Sequence, residues 1–471
     1  MCAAIAGLQD FRQEGPPGDI GVFQFPATVN VFQYTFSGTT YYCALKSDRG
    51  WRLIVPPNID FYTVLQAAFN YLSTLDWQGG HIHVGSMSVI LSNTIVVPEL
   101  VKGFLLTGDY NFKTNIEARV GLNAPAFNVG SLGAVNNPVF SGFRFNGLGC
   151  GAEPFVLFTT NNVSAGANET LVEKNEFIGC KYAIRYRAEG VGMNYNVVRD
   201  NWLIGNTSLT GGALIDIPYQ SAQVHQLWIH DNWFRPWSSD GKGKSISLGR
   251  TSSGPYKIND NEFHVDDSMV LHVYGPYKGS FNDNRLYLNS DTSTPADSRL
   301  IYINESTGSI ATINDNVVYR VSGTKQCQYL LYLTHSPTYL TVVGNNVLDA
   351  NFQQANPIRQ TGRNYGRFVD NDGYNPRGLI ATPFDNVNNI VTAIFGAAAG
   401  PTNASTDYVI DSIPCLIVWS AGTGVDVTIK DAVGGNVIKN PGATGEEWLE
   451  PKWAINFGAF SAPPTVKVAF K

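Results

Sequence analysis

Asp200-Asn201-Trp202-Leu203, Asp231-Asn232-Trp233-Phe234, Asp260-Asn261-Glu262-Phe263, Asp283-Asn284-Arg285-Leu286 and Asp315-Asn316-Val317-Val318 are five versions of one phrase. Their asparagine belongs to a longer series: Asn146, Asn175, Asn201, Asn232, Asn261, Asn284, Asn316, Asn346 and Asn371. The steps are 29, 26, 31, 29, 23, 32, 30 and 25 residues. Short apolar runs such as Leu227-Trp228-Ile229-His230 and Leu300-Ile301-Tyr302-Ile303 lie between the phrases and read as strands. Strands this short are unstable as isolated hairpins. Stacked rung on rung, they bury a continuous interior and pair their backbones with the coils above and below. A repeat of this length therefore predicts an all-β chain whose body is a parallel β-helix.

Asparagine suits the bend of each coil because its short amide tolerates a left-handed backbone and bonds neighbouring peptides. At a rung spacing of about 4.8 Å the amides can also bond one another. The series Asn175, Asn201, Asn232, Asn261, Asn284, Asn316 and Asn346 is thus read as a structural ladder. The second residue after each is apolar and faces inward: Phe177, Leu203, Phe234, Phe263, Leu286, Val318 and Leu348. The period of two along a strand then turns the flanking residues outward. One outward column is Glu176, Trp202, Trp233, Glu262, Arg285, Val317 and Val347. The other is Ile178, Ile204, Arg235, His264, Tyr287, Tyr319 and Asp349.

With 471 residues the chain has room for a solenoid and smaller modules, and 47 glycines with 15% charged residues fit a turn-rich β protein. A net charge of −6 argues against sequence-independent binding to nucleic acid, which needs a basic track. No membrane span is evident, and the opening Met1 to Asp10 lacks the basic residues of a signal peptide. Residues 1–52 read as a strand and hairpin module, a possible anchor. Residues 53–375 read as the β-helix, opened by a capping helix over 60–78. Asp60 is its N-cap, Leu65, Ala68, Leu72 and Leu75 its apolar stripe, and Gly79-Gly80 its stop. Residues 376–471 read as a linker and a C-terminal antiparallel β-sandwich.

The pieces Thr40 to Leu45, Thr63 to Ala68, Gly79-Gly80-His81-Ile82-His83-Val84 and Leu106-Thr107-Gly108 resemble the opening of pectate-lyase-like right-handed β-helix proteins. The ending, with Gly373-Tyr374-Asn375-Pro376, Asn456-Phe457-Gly458 and Pro464 to Val468, is similar to terminal modules in β-helix proteins of archaea and their viruses. The resemblance implies a right-handed helix. It leaves function open, because this architecture hosts lyases, hydrolases, tail spikes and adhesins.

Several residues could carry chemistry. Trp202 above Trp233 makes a flat platform for sugar rings, with Trp237 nearby and Arg235, Glu262, His264 and Tyr287 as hydrogen-bonding groups at its edge; a covered interface is the competing reading. Glu262, His264, Asp266 and Asp267 are the catalytic candidates for a polysaccharide lyase or glycoside hydrolase, although the Gly-His-Gly and Arg-Ile-Lys phrases of the polygalacturonase branch are missing. Glu176 and Glu262 lie three rungs apart, about 14 Å, too far for a hydrolytic pair. Cys150 and Cys180 fall near one place on adjacent rungs, as a disulfide or as two buried thiols. No metal or cofactor is expected: His81 and His83 lack a third ligand, and Asp216, Asp231 and Asp240 match no oxygen-ligand loop.

The favoured expectation is a virion-surface attachment protein, a homo-oligomer (trimer or ring) beside other virion proteins, that recognises a cell-surface glycan or receptor. An envelope-glycan lyase or hydrolase and a cellular surface-layer adhesin are the alternatives.

Overall fold

The computed structural model describes residues 28–47, 52–109, 111–160, 166–188, 192–206, 208–218, 224–238, 242–249, 255–266, 268–288, 299–304, 309–320, 326–327, 329–334, 339–348, 351–352, 358–360, 366–369, 405–409, 415–421, 425–450, 453–462 and 464–470. Asp267, Asp349, Asn371 and the turn cluster Gly373 to Gly378 lie outside them.

The described chain forms a right-handed β-solenoid of three long sheets, of fourteen, ten and ten strands. One turn runs through Leu227–His230 on the first face, Trp233–Ser238 on the second and Lys244–Leu248 on the third. The next turn, Tyr256–Asn259, Glu262–Val265 and Met269–Val273, pairs with it in parallel, strand on strand. Inward residues fill the bore: Phe145 meets Phe155 at 4.6 Å and Phe177 at 5.0 Å between ring centroids, and all three are fully buried. The hairpin Val29–Phe36 with Thr39–Lys46 joins the first sheet, because Val29 to Val31 pair with Ile82 to Val84.

The ladder holds the bend between the first and second faces, in a register that departs from the sequence reading. Its members are Asn175, Asn201, Asn232, Asn261, Asn284, Asn316 and Asn345, each at most 2% exposed. Each Oδ1 after the first accepts the backbone N–H and the Nδ2–H of the preceding asparagine, at 2.8–3.1 Å. Each Nδ2 also donates to a carbonyl of the first face one rung back, as Asn261 does to Ile229. The last ladder position is Asn345 and not Asn346, so Val347 pairs with the inward Val318, and Asn346 and Leu348 take the register positions expected for Val347 and Asp349. Asn146 is no member either. Phe143 occupies that place, its N–H donating to Asn175 Oδ1 at 3.1 Å, while Asn146 pairs with Ile178 in mid-sheet. The left-handed residue is the one before each asparagine: Lys174, Asp200, Asp231, Asp260, Asp283, Asp315 and Gly344 have φ between 54° and 67°. Aspartate tolerates that conformation at an exposed bend, which leaves the amide free to point inward.

The capping helix spans Phe61–Leu72 and ends earlier than expected, at Ser73. The Asp60 carboxylate accepts the Thr63 N–H at 3.3 Å. Phe61, Val64, Leu65, Ala68, Phe69 and Leu72 are buried against the start of the bore, where the Phe69 ring meets Phe104 at 5.0 Å. The C-terminal residues form two antiparallel sheets, of four and three strands, with Ile417, Val427, Ile429, Leu449, Ile455 and Phe457 buried.

Cys150 and Cys180 are buried free thiols, which removes the disulfide reading. The register explains it: the Gly147 N–H donates to Ile178, and Cys180 lies against Gly147, whose missing side chain makes room for the sulfur. Cys150 stands further on, at the end of the turn Leu148–Cys150. Burial raises both thiols, Cys150 to about 12, so neither forms a reactive thiolate near neutral pH.

Two measurements follow from this packing. Asn261→Ala takes the acceptor from the Asn232 N–H, one of three acceptors from the Asn232 Nδ2 and a donor from the Ile229 carbonyl, so chemical denaturation should show a loss of about 2 kcal/mol or more. Asp260→Gly, at a φ of 58°, should leave stability within about 0.5 kcal/mol or raise it. Peptide mapping should find Cys150 and Cys180 alkylated only after unfolding; a linked peptide would refute the free-thiol assignment.

Candidate functional site

On the second face the strand after each ladder asparagine sends its first residue outward. Register pairing stacks Arg144, Glu176, Trp202, Trp233, Glu262, Arg285 and Val317 in one outward column. The parallel column holds Arg235 after Ile204, and then His264, Tyr287 and Tyr319. Because like positions repeat at every rung, aromatic residues placed there come to lie ring over ring.

They form one continuous stack. Trp202 and Trp233 are 5.8 Å apart between ring centroids, Trp233 and His264 4.7 Å, His264 and Tyr287 4.9 Å, and Tyr287 and Tyr319 5.0 Å. The last two pairs are nearly parallel, at 16° and 13°. The stack crosses from one column to the other between Trp233 and His264. Phe112 extends it at the far end, 6.3 Å from Trp202, and Trp202 is 52% exposed. Apolar ring area open to solvent on a rigid sheet is surface that a ligand or partner can use.

The polar residues of this face are already bonded to one another. His264 Nε2 and Glu262 Oε1 are 2.5 Å apart, which fixes the imidazole in the stack. Asp266, 7% exposed, accepts from Arg235 Nε at 3.0 Å and from the indole N–H of Trp237. The Arg235 guanidinium lies 4.0 Å from the Trp237 ring centroid. Trp237 therefore stands with Arg235 at the edge, displaced from the flat stack by the register shift after Ile204. Glu176 is taken up by Arg144. Neighbouring Glu262 and Tyr319 add to partial desolvation, the largest cause, in raising the Tyr287 phenol above its ordinary range.

The structure thus brings together Trp202, Trp233, His264 and Tyr287 in one stack and places Arg235 and Trp237 at its edge. Of the catalytic candidates, Glu262, His264 and Asp266 lie on this face and Asp267 is outside the described residues. Two members of the stack were not singled out from sequence. Tyr319 was visible one rung beyond Tyr287 in the same column. Phe112 carried no signal, since it sits just before the strand Thr114–Ala118 and follows no repeat.

No family model matches this chain, and no curated protein does, so the expected pectate-lyase-like and archaeal affiliation gains no support there. Solved structures similar to it include the tailspike protein gp49 of Acinetobacter baumannii bacteriophage Fri1, a capsular polysaccharide depolymerase, with 11% identity, 92% of each chain covered and a TM-score of 0.34. Another is a mutant tailspike protein of Escherichia coli bacteriophage HK620 in complex with a hexasaccharide, with 12% identity over 88% of this chain and 90% of that one, at a TM-score of 0.40. A third is PfbA, a surface adhesin of Streptococcus pneumoniae, with 11% identity over 66% and 88% and a TM-score of 0.32. Likeness at this level carries no argument about what this chain binds or does.

Proposed function

We propose that this chain is an attachment protein that binds a glycan along its second face and is displayed, as a homo-oligomer, on the surface of a virion. The observation that carries the binding part is the stack from Phe112 through Trp202, Trp233, His264 and Tyr287 to Tyr319. A continuous run of aromatic surface on a rigid sheet, most exposed at Trp202, suits the apolar faces of sugar rings, while Arg235 and Glu262 at the margin can meet hydroxyls. Such a surface is ordered before the ligand arrives, which reduces the entropy lost on binding.

Attachment is favoured over cleavage by what the carboxylates already do. Asp266 is buried and holds Arg235 and Trp237, and Glu262 is joined to His264. Hydrolysis needs one carboxyl as acid and a second as base or nucleophile about 5–9.5 Å away. Groups committed to positioning an aromatic surface are poorly placed for that work.

A glycan array followed by titration with the best-binding oligosaccharide tests the reading. Replacing Trp202 and Trp233 together by alanine should weaken binding about tenfold or more, equivalent to about 1.4 kcal/mol, with the circular dichroism spectrum unchanged. An unaltered affinity would remove the platform. Incubating the protein with the polysaccharide that carries the bound epitope should yield no new reducing ends and no unsaturated products. Products that vanish in Glu262→Gln would replace attachment by catalysis. Peptides of this chain in purified particles, and a sedimentation mass that is a multiple of the 51.4 kDa chain, are the results expected for display and assembly.

A further inference from the structure

The hairpin that joins the first sheet reaches past the strand it is attached to. Val29 to Val31 pair with Ile82 to Val84, and the Gly85 N–H donates to the Val31 carbonyl at 2.9 Å. There the solenoid strand ends, while Phe32 to Phe36 run on with Thr39 to Cys43 as their only partner strand among the described residues. Gln33 to Thr40 are exposed, whereas Val29, Val31 and Ala44 at the root are buried. Ser37 and Gly38, with φ of 49° and 78°, close the ribbon in a tight two-residue turn.

The pairing pattern shows which peptide groups of the ribbon stand open. Tyr42 exchanges both of its peptide hydrogen bonds with Asn58, at 2.7 and 3.0 Å, on the side away from Val29–Phe36. Facing residues of an antiparallel ladder alternate between bonding each other and turning away. Gln33, opposite Tyr42, therefore turns its N–H and C=O outward, and Thr35, two residues on, does the same. Val31 obeys the rule, since its outward carbonyl is the one that takes Gly85. On the other strand only Thr40 is left open in this way, because Tyr42 is occupied. The edge at Gln33 and Thr35 is thus long enough to pair, and the edge at Thr40 is not.

This open edge carries none of the devices that keep strands apart, which are charges, prolines and bulges. From Thr28 to Leu45 the chain has no charged residue and no proline, and the ladder from Val29–Lys46 to Phe36–Thr39 is unbroken. One face of the ribbon bears Phe32, Tyr34, Phe36 and Tyr41. Tyr34 is 39% and Phe36 54% exposed, and the Tyr34 ring stacks on Tyr41 at 5.6 Å between centroids.

We propose that two copies of the chain join along this edge, Val29–Phe36 of one pairing antiparallel with the same strand of the other about a two-fold axis at Tyr34. In that register Gln33 exchanges both peptide hydrogen bonds with Thr35 of the second copy, and Thr35 with Gln33 of the second copy. Tyr34 faces its own counterpart across a narrow pair, with about 4.5 Å between Cα atoms. Phe36 meets Phe32 of the second copy, so the two aromatic faces become one surface. An antiparallel edge is complementary to itself, and an uncharged one brings no like charges together, which is why the occupant is a second copy. The proposal rests on the homo-oligomer proposed above and gives it an isologous interface that uses no residue of the aromatic stack.

Analytical ultracentrifugation of the full chain over a concentration series tests it. The unaltered protein should sediment at twice the mass of the 51.4 kDa chain or at another even multiple. Thr35→Pro removes an outward N–H without touching a bond within the hairpin, and Gln33→Lys with Thr35→Lys sets like charges across the axis. Each should weaken association about tenfold or more, with the circular dichroism spectrum unchanged. Thr40→Lys, on the opposite edge, should leave it as it was. On oxidation Tyr34→Cys should give a covalent dimer and Thr40→Cys should not, since only the first residue faces its counterpart at disulfide distance. A monomer at every concentration would remove the homo-oligomer together with this interface. An assembly that survives both edge variants, an odd multiple of the chain mass, or equal crosslinking of the two cysteine variants would overturn the interface alone and assign assembly to another surface.

Discussion

Everything in this fold depends on satisfying the backbone where each coil turns from the first face to the second. At that bend the asparagine is buried, so its peptide groups must find partners within the protein. The ladder answers with one side chain per turn, whose amide oxygen takes two donors from the rung before and whose amide nitrogen bonds a carbonyl of the first face. Polar groups spaced at the rung repeat satisfy one another, and the bend is then set by hydrogen bonds whatever the length of the loops elsewhere in the turn. Steps between 23 and 32 residues fit the same ladder for this reason.

The ladder also decides which side chains can act. Once the amide points inward, the residue before it is forced into the left-handed region and outward, and the residue after it begins the second face with its side chain on the outer side, from the exposed Trp202 to the buried Glu176. Trp202 and Trp233 stack because they hold the same place after successive asparagines. Neutral rings gain from such repetition, at about 0.5–1.5 kcal/mol per pair, whereas repeated charges repel. The outward column respects that difference, with Arg144 against Glu176 and Glu262 against Arg285. The aspartates at the bend do not escape it: desolvation first, and then Asp260 and Asp315, raise the Asp283 carboxyl above its ordinary range.

How far the sequence could be read follows from the same geometry. The repeat, the inward set from Phe177 to Val318 and the tryptophan pair were legible, because one phrase and a period of two suffice to place them. At Asn345-Asn346 composition does not say which amide turns inward. Gly344, with φ of 67°, does, since it holds the left-handed place that aspartate fills elsewhere. Asn146 shows the converse, an asparagine at the right interval that ends the strand Phe143–Asn146 and stands outside the bend. The Cys180 sulfur packs against Gly147, a contact that counting from Asn146 does not find. The third face stayed unread because no invariant phrase introduces it: the chain between Ser238 and Lys244 is longer than that between Val265 and Met269. Counting from the ladder therefore loses register before reaching Asp216 or His272.

The two faces solve the problem of repetition in opposite ways. The second places aromatic rings in series and confines its ions to pairs, so what it offers a ligand is area. The third keeps Arg185 occupied with Asp216 and buries a neutral imidazole, His272, against the rings of Tyr274 and Tyr302. The difference between the two faces follows from where each begins. The second starts at the bend, where the ladder enforces register. The third starts after a loop of variable length, where each rung can be given a different side chain.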